Sequence, residues 1–311
     1  MENEKYAVVL GGLNMDIAGI SGKDFREHDS NIGNITLTDG GVGQNIAQNM
    51  VKLEVPTYLI TVYGDDEFGD ILARNCENRD IKLDYAEQLK NEASSTYLYV
   101  TDGDGDMISG VNDMKIIEHM TPKFFEKRID FINKAEICVI DGNLRQDSIE
   151  WLAEHVTAPI FVDPVSVVKA SRFVSVLNKI DTFKPNEIEA ELFTGIKVVD
   201  KESGKEAARK LVELGVENVF ISMGEQGIIC ANKDRVDLIP ILKSNVVSCN
   251  GAGDCSMATI TWARFYYGKA LALKEVGLLT QAAASITVES IDAVSKDMSV
   301  RNVVKRAQQY M

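Results

Sequence analysis

Cysteine is scarce and shows no pattern. Cys76, Cys138, Cys230, Cys249 and Cys255 are scattered over 311 residues without a Cys-x-x-Cys spacing. That excludes a disulfide scaffold and suggests reduced thiols in a cytoplasmic protein. Histidine is scarcer still, with three residues and no His or Cys cluster, so a zinc site has no support. No apolar run approaches the roughly 20 residues of a membrane-spanning helix. Residues 6–10, behind a charged start, are too short for a signal-peptide core. Basic charge is also in deficit. Lys and Arg number 33 against 47 Asp and Glu, a formal net charge of −14 without a basic cluster. That argues against nucleic acid or an anionic membrane as partner. Any bound phosphate must be handled locally, by N–H groups, a cation, or a single Lys or Arg. Internal repeats, low-complexity segments and Pro-, Gly- or Ser-rich linkers are missing too. What is present, 45% hydrophobic and 26% charged residues, allows one large α/β domain or two small ones, and a single domain spanning 1–311 is expected.

The stretch with the most chemistry is Val247-Ser248-Cys249-Asn250-Gly251-Ala252-Gly253-Asp254. Val246 and Val247 read as a strand end. Cys255 to Tyr267 reads as a helix stopped by Gly268. The small residues therefore stand where a loop becomes a helix N-terminus. Free N–H groups and the positive end of the helix dipole there suit an anion. Gly251 and Gly253 let a ligand approach the backbone. Asp254 would repel that anion, unless it takes a proton from whatever attacks it. A phosphate in the loop and a hydroxyl nucleophile at Asp254 fit this arrangement, although Asp254 could equally be a first-turn cap.

Elsewhere the chain alternates strands and helices. Residues 6–10 read as a buried first strand followed by Asn14 and Asp16. Residues 17–39 are polar and weakly alternating, a β excursion away from the main sheet. Gly40 and Gly41 then lead into a helix through Asn45. Strands at 96–101 and 107–111 form a hairpin around the acidic turn 102–106, which suits a hairpin better than a calcium loop. Further on, helices are expected at 122–133, 146–155, 171–178 and 201–214. Strands are expected at 135–140, 160–162, 182–184 and 219–222, then a hairpin at 227–231 and 236–241. This order predicts a doubly wound, mostly parallel sheet flanked by helices. It also places Asn14, Asp16, Asn143, Asp163, Asn186 and Ser222 at strand ends along one edge, where such sheets bind ligands. Each residue alone would serve as well in a turn.

The combination resembles the ribokinase-like, or PfkB, carbohydrate and nucleoside kinases along nearly the whole chain. Gly40-Gly41-Val42-Gly43-Gln44-Asn45-Ile46-Ala47 and Val62-Tyr63-Gly64-Asp65-Asp66-Glu67-Phe68-Gly69 match the N-terminal signature. Asn250-Gly251-Ala252-Gly253-Asp254 matches the C-terminal one, and Asn186 with Glu189 matches an Asn-x-x-Glu motif. Within the family the chain is most similar to the pseudouridine kinases, through stretches such as Val111-Asn112-Asp113-Met114 and Pro164-Val165-Ser166-Val167-Val168-Lys169.

The resemblance implies ATP-dependent transfer to the 5′-hydroxyl of pseudouridine. Other acceptors of the same chemistry are ribose, fructose, adenosine and inosine, and a non-catalytic nucleotide-binding protein is a third reading. It implies Asp254 as the base and Gly251, Ala252 and Gly253 as an anion hole. Asn14, Asp16, Gly40, Gly41, Asn45, Asn112 and Asn143 fall at the substrate end. Asn186, Ser222, Gly224, Gly227, Asn250, Gly251 and Gly253 fall at the nucleotide edge. Asn186 and Glu189 would hold Mg2+ through water. The segments 17–39 and 96–111 would form a small β-sheet lid that pairs two subunits into a homodimer. One departure stands out. The family often carries Asp-Thr before Gly-Ala-Gly-Asp, where this chain has Ser248, Cys249 and Asn250. A K+ site would therefore rest on backbone carbonyls alone. With its carboxyl in ordinary surroundings, Asp254 would titrate near ~4.

Overall fold

The computed structural model describes residues 5–22, 25–103 and 106–310. Four apolar residues with no alternation form β1 (Ala7–Leu10), and all are buried, as expected of a strand covered on both faces. The chain leaves the main sheet through β2 (Asn14–Ser21) and β3 (Gly33–Gly40), then returns through α1 (Val42–Lys52) and β4 (Thr57–Ile60). Next come β5 (Val62–Gly64), α2 (Glu67–Asn78), β6 (Glu87–Leu89), β7 (Thr96–Thr101) and β8 (Met107–Asp113). Alternation then follows through α3 (Pro122–Glu126), α4 (Ile129–Ile132), β9 (Ile137–Asp141), α5 (Gln146–His155), β10 (Ile160–Asp163), α6 (Val167–Ala170), β11 (Thr182–Phe183), α7 (Glu187–Thr194), α8 (Lys201–Glu213) and β12 (Asn218–Ser222). The hairpin β13 (Ile228–Ala231) and β14 (Val236–Ile239) precedes α9 (Ala252–Tyr267), α10 (Leu273–Thr287) and α11 (Val300–Gln308).

The main sheet runs β14-β13-β12-β11-β10-β9-β1-β4. It is parallel from β4 to β12, with β13 and β14 antiparallel. Alternate strand residues feed two cores. Val9, Val139, Phe161 and Phe220 face the core that holds α1, α9 and α10. Leu10, Ile140, Val162 and Ile221 face the core that holds α5 and α8. This is the expected doubly wound architecture. A second sheet, ordered β3-β2-β7-β8, joins the excursion and the hairpin as expected. The excursion's pairing begins at Asn14 opposite Gly40 rather than at residue 17. The hairpin turn falls partly outside the described residues.

α9 is the most buried long helix near the site. Cys255, Met257, Ile260, Trp262 and Ala263 are all buried in its core, because the helix is apolar on nearly every side. α1 packs against it through Ile46, Ala47 and Met50. Two helices that both start in glycine-rich turns thus meet with their N-termini at the carboxyl edge of the main sheet.

Three local expectations fail. The helix expected at 122–133 breaks between α3 and α4, where the Arg128 guanidinium donates to the Phe124 carbonyl at 2.7 Å and also reaches Glu87 at 2.8 Å. The segment expected as a helix at 171–178 is a 3-10 helix, Ser171–Lys179, burying Phe173 and Val176 at the three-residue spacing of that form. Val246 and Val247 are exposed and lie in no strand. Val247 and Ser248 donate their N–H groups to the Val288 carbonyl at the end of α10, so a helix end ties down this segment.

Candidate active site

β9 and β10 end side by side on two carboxylates, Asp141 opposite Asp163. Lys184 follows β11 and binds Asp163 across 3.0 Å, with both side chains buried. Burial works against the Lys184 charge, but Asp163, Glu189 and Asp254 outweigh it and raise the ammonium pKa. The Lys184 Nζ lies 3.5 Å from where a Cβ on Gly253 would stand, so glycine there leaves the cation room beneath the α9 N-terminus.

Gly251 caps α9 in the left-handed region, at φ 76°. A Cβ there would lie 1.9 Å from the Ala293 carbonyl oxygen, which leaves glycine as the only residue that fits. Behind it the N–H groups of Gly253 and Asp254 make no hydrogen bond among the described residues, leaving donors for an anion. Asp254 Oδ2 accepts from Asn45 Nδ2 at 2.8 Å. Its carboxyl is pushed up to about 7, first by burial and then by the Asp163 charge, while Asn45 and Lys184 pull the other way. The ordinary value expected from sequence therefore does not hold, because the burial and the Asp163 charge that raise it come from elements far away in the chain.

At the other side of Asn45, Asn14 is buried and donates to Asp16 Oδ1 at 2.5 Å. Asn14 Oδ1 is buried without a partner among the described residues. Burial raises Asp16 to about 6, against the Asn14 hydrogen bond, with Asp39 adding to the rise. Gly40 and Gly41 make this corner possible. A Cβ on Gly40 would lie 2.4 Å from Asp16 Oδ2, and one on Gly41, at φ 100°, 2.5 Å from the Gly12 carbonyl. Asn143 is fully engaged: it donates to Asp141 at 3.0 Å and accepts from Lys169 Nζ at 2.5 Å. Asn112 is exposed on β8 and bonds to none of these residues. It shares a cross-strand row with Tyr97 and Asp16.

Asn186 and Glu189 form a capping box at the start of α7, each accepting the other's backbone N–H at 2.8 Å. Asn186 also bridges to Ser222. Gly224 has a positive φ and open space around it, whereas a Cβ on Gly227 would lie 2.1 Å from the Ile239 carbonyl. Gly227 is thus already required by the β12–β13 turn. Asn250 is exposed, with its N–H on Ser248 Oγ at 3.2 Å. No three His, Cys, Asp or Glu among the described residues converge on an ion.

Reading the sequence missed Asp141, Lys184 and Tyr97. The signal for the first two was available: a charged residue closing an otherwise apolar strand. Tyr97 and Tyr99 gave none. They lie on the same sheet face as Asp16, with rings 5.4 Å apart.

Residues 4–299 match the model of the pfkB family of carbohydrate kinases. The chain belongs to that family. It is 30% identical to the pseudouridine kinase of Escherichia coli (strain K12) over 98% of this chain and 97% of that one. A carbohydrate kinase from Agrobacterium tumefaciens superposes with a TM-score of 0.85 at 24% identity, covering 98% and 97% of the two chains. The ribokinase of Arabidopsis thaliana complexed with ribose and ATP gives 0.81 at 21% identity, covering 98% and 99%. These two establish the fold alone. As a pfkB kinase the protein is an enzyme of ATP-dependent phosphoryl transfer, acting on a small sugar or nucleoside. No helix among the described residues is long and apolar enough to cross a membrane.

Proposed function

We propose that the acceptor is the 5′-hydroxyl of pseudouridine and the products are pseudouridine 5′-phosphate and ADP. The observation that carries a nucleoside over a free sugar is the tyrosine pair. Tyr97 and Tyr99 stand on the face of the small sheet that carries Asp16, and the Asp16 charge reaches Tyr99. A flat aromatic wall beside a hydroxyl-binding carboxylate suits a planar base attached to a ribose. Near-full-length similarity to one pseudouridine kinase favours the C-linked base, and Asn112 and the Lys169–Asn143 pair are its candidate readers.

In this reading Asp16, Asn14, Gly41 and Asn45 hold the ribose. Asp254 takes the proton as the 5′-oxygen bonds to the γ-phosphorus and the bond to the β,γ-bridging oxygen breaks, its electron pair leaving with ADP. A carboxyl titrating near 7 is well placed to accept and release that proton. The unpaired N–H groups of Gly253 and Asp254 stabilise charge on the transferred group, whereas that of Ala252 is turned to the Cys249 carbonyl. Asn186, Ser222, Gly224, Gly227 and Asn250 line the nucleotide edge. Asn186 and Glu189 would hold Mg2+ through water, and the ion when bound neutralises phosphate charge.

The small sheet then acts as a lid that excludes water. Its other face carries Leu37, Ile17, Leu98 and Val111 in one cross-strand row, with Leu37 and Val111 more than half exposed. A second subunit's lid would cover this row in a homodimer. The five cysteines are unpaired, which supports the cytoplasm as location.

ADP release with Mg2+ and ATP, measured in parallel on pseudouridine, uridine, ribose, fructose and adenosine, tests the assignment. Strong turnover on pseudouridine with little on uridine is expected. Preference for ribose or fructose would sink the substrate and the role given to the tyrosines, and leave the kinase chemistry standing.

A further inference from the structure

Asp39 makes no hydrogen bond to the site residues just described and reaches Asp16 only through its charge, yet its side chain is only 9% exposed. It is the second-to-last residue of β3, opposite Met15, and points to the sheet face away from Asp16. Three side chains from two helices converge on its carboxylate. Gln44 of α1 donates to Oδ2 at 2.8 Å, Asn75 of α2 to Oδ1 at 3.2 Å, and Arg79 at the end of α2 closes a two-pronged ion pair, with Nη2 at 2.9 Å from Oδ1 and Nη1 on Oδ2. A fork of this kind fixes orientation as well as distance.

Its location gives the pair leverage. One residue after Asp39, Gly40 packs against the Asp16 carboxylate, and Gly41 then turns the chain into α1 at φ 100°. Gln44, held by Asp39, also donates its N–H to the Gly12 carbonyl at 3.0 Å. The next residue, Asn45, holds Asp254. Any pivot of the small sheet about its root must carry Asp39 relative to α2, and parting this nearly buried carboxylate from its two-pronged, partly exposed guanidinium partner opposes that movement.

We propose that Asp39 and Arg79 form a latch at the root of the small sheet. It fixes the strand carrying Asn14 and Asp16 and the helix carrying Asn45 in one relative position, and so seats the acceptor hydroxyl at Asp254. Both are positioning residues. The inference rests on the reading that the small sheet closes over the acceptor.

Two measurements on Arg79→Ala test it. The first is amide hydrogen exchange by mass spectrometry, which needs no acceptor. Faster exchange is expected in 14–21 and 33–40, with 137–141 and 218–222 unchanged. The second is steady-state kinetics on whichever acceptor the wild-type enzyme turns over fastest. The acceptor KM should rise roughly tenfold and the ratio of ATP hydrolysis to transfer should climb, while the KM for ATP stays within about twofold. Asp39→Asn should behave alike, the double variant should be no worse than either single one, and Arg79→Lys should restore part of the loss. Unchanged exchange in 33–40 overturns the latch whatever the acceptor proves to be. So does a parallel rise in both KM values, or a general loss of thermal stability with additive effects. A failed pseudouridine assignment leaves the exchange result intact.

Discussion

The two sheets meet at Asn14 and Gly40, and they are built on opposite terms. At the edge of the main sheet, Asp141, Asp163 and Lys184 are buried, and the Gly251 position tolerates no side chain. The small sheet exposes much of both faces, and its β8 is exposed along its whole length. The difference separates two kinds of information. In the proposed reading, phosphoryl transfer would be held by groups whose geometry the fold leaves no freedom to change, and acceptor choice would fall to ordinary side chains on a surface that could be redecorated without disturbing the core.

The sharpest way to break this contrast is at Asp254. Asp254→Asn should lower kcat by roughly 10² to 10⁴, with the KM for ATP largely intact. Wild-type turnover would remove Asp254 from the chemistry. Next in size is a comparison of two glycines, both at positive φ. Gly251→Ala drives a Cβ into the Ala293 carbonyl, whereas Gly224→Ala meets open space. The first should cost about 10² or more in kcat through displacement of the anion-binding N–H groups. The second should cost no more than several-fold, from backbone strain alone. Equal effects would show that the crowding at Gly251 has no catalytic meaning. On the small sheet the expected effect is smaller. Tyr97→Leu should raise the KM for a nucleoside about three- to tenfold, consistent with loss of one aromatic contact, and raise that for ribose less. An equal rise for both acceptors would end the argument for a base-facing wall.

The same contrast explains what could be read from the chain. Gly251, Gly253 and Asp254 were legible because a helix entry with two glycines and an acid is an odd local choice. Gly40 and Gly41 were legible for the same reason. The doubly wound order followed from apolar runs alternating with helical periods. The rest depends on distance. Nothing in Thr182-Phe183-Lys184 says that its lysine will neutralise Asp163 beneath the α9 N-terminus. Nor does the sequence around Asp254 carry the crowding that lifts its carboxyl to about 7. Asn186 and Glu189 were read as a motif, and the geometry adds that they cap α7 as well. Glu87, which holds Arg128, and Val288, which holds Val247 and Ser248, are remote partners that no local pattern announces.

The smallest predicted effect concerns stability. Asp254 is an unusual carboxylate, because burial lifts its folded pKa above the ordinary 3.8, to about 7. Between these values the folded state binds the proton more tightly than the unfolded chain does. Stability contributed by this group is therefore present at low pH and lost as pH rises towards 7. The ionised form, which the proposed role as base requires, is the one the fold disfavours. Two measurements should display that conflict together. With acceptor, kcat/KM should fall about tenfold per pH unit below about 7. Without substrate, Asp254→Asn should melt close to the wild type near pH 4 and roughly 2–4 °C above it at pH 8. Solvent on the open side of the carboxyl keeps the gap small. A gap of the same size at both pH values would mean that the charge on Asp254 is not what destabilises the fold, and an activity limb near pH 4 would mean that its neighbours do not raise it.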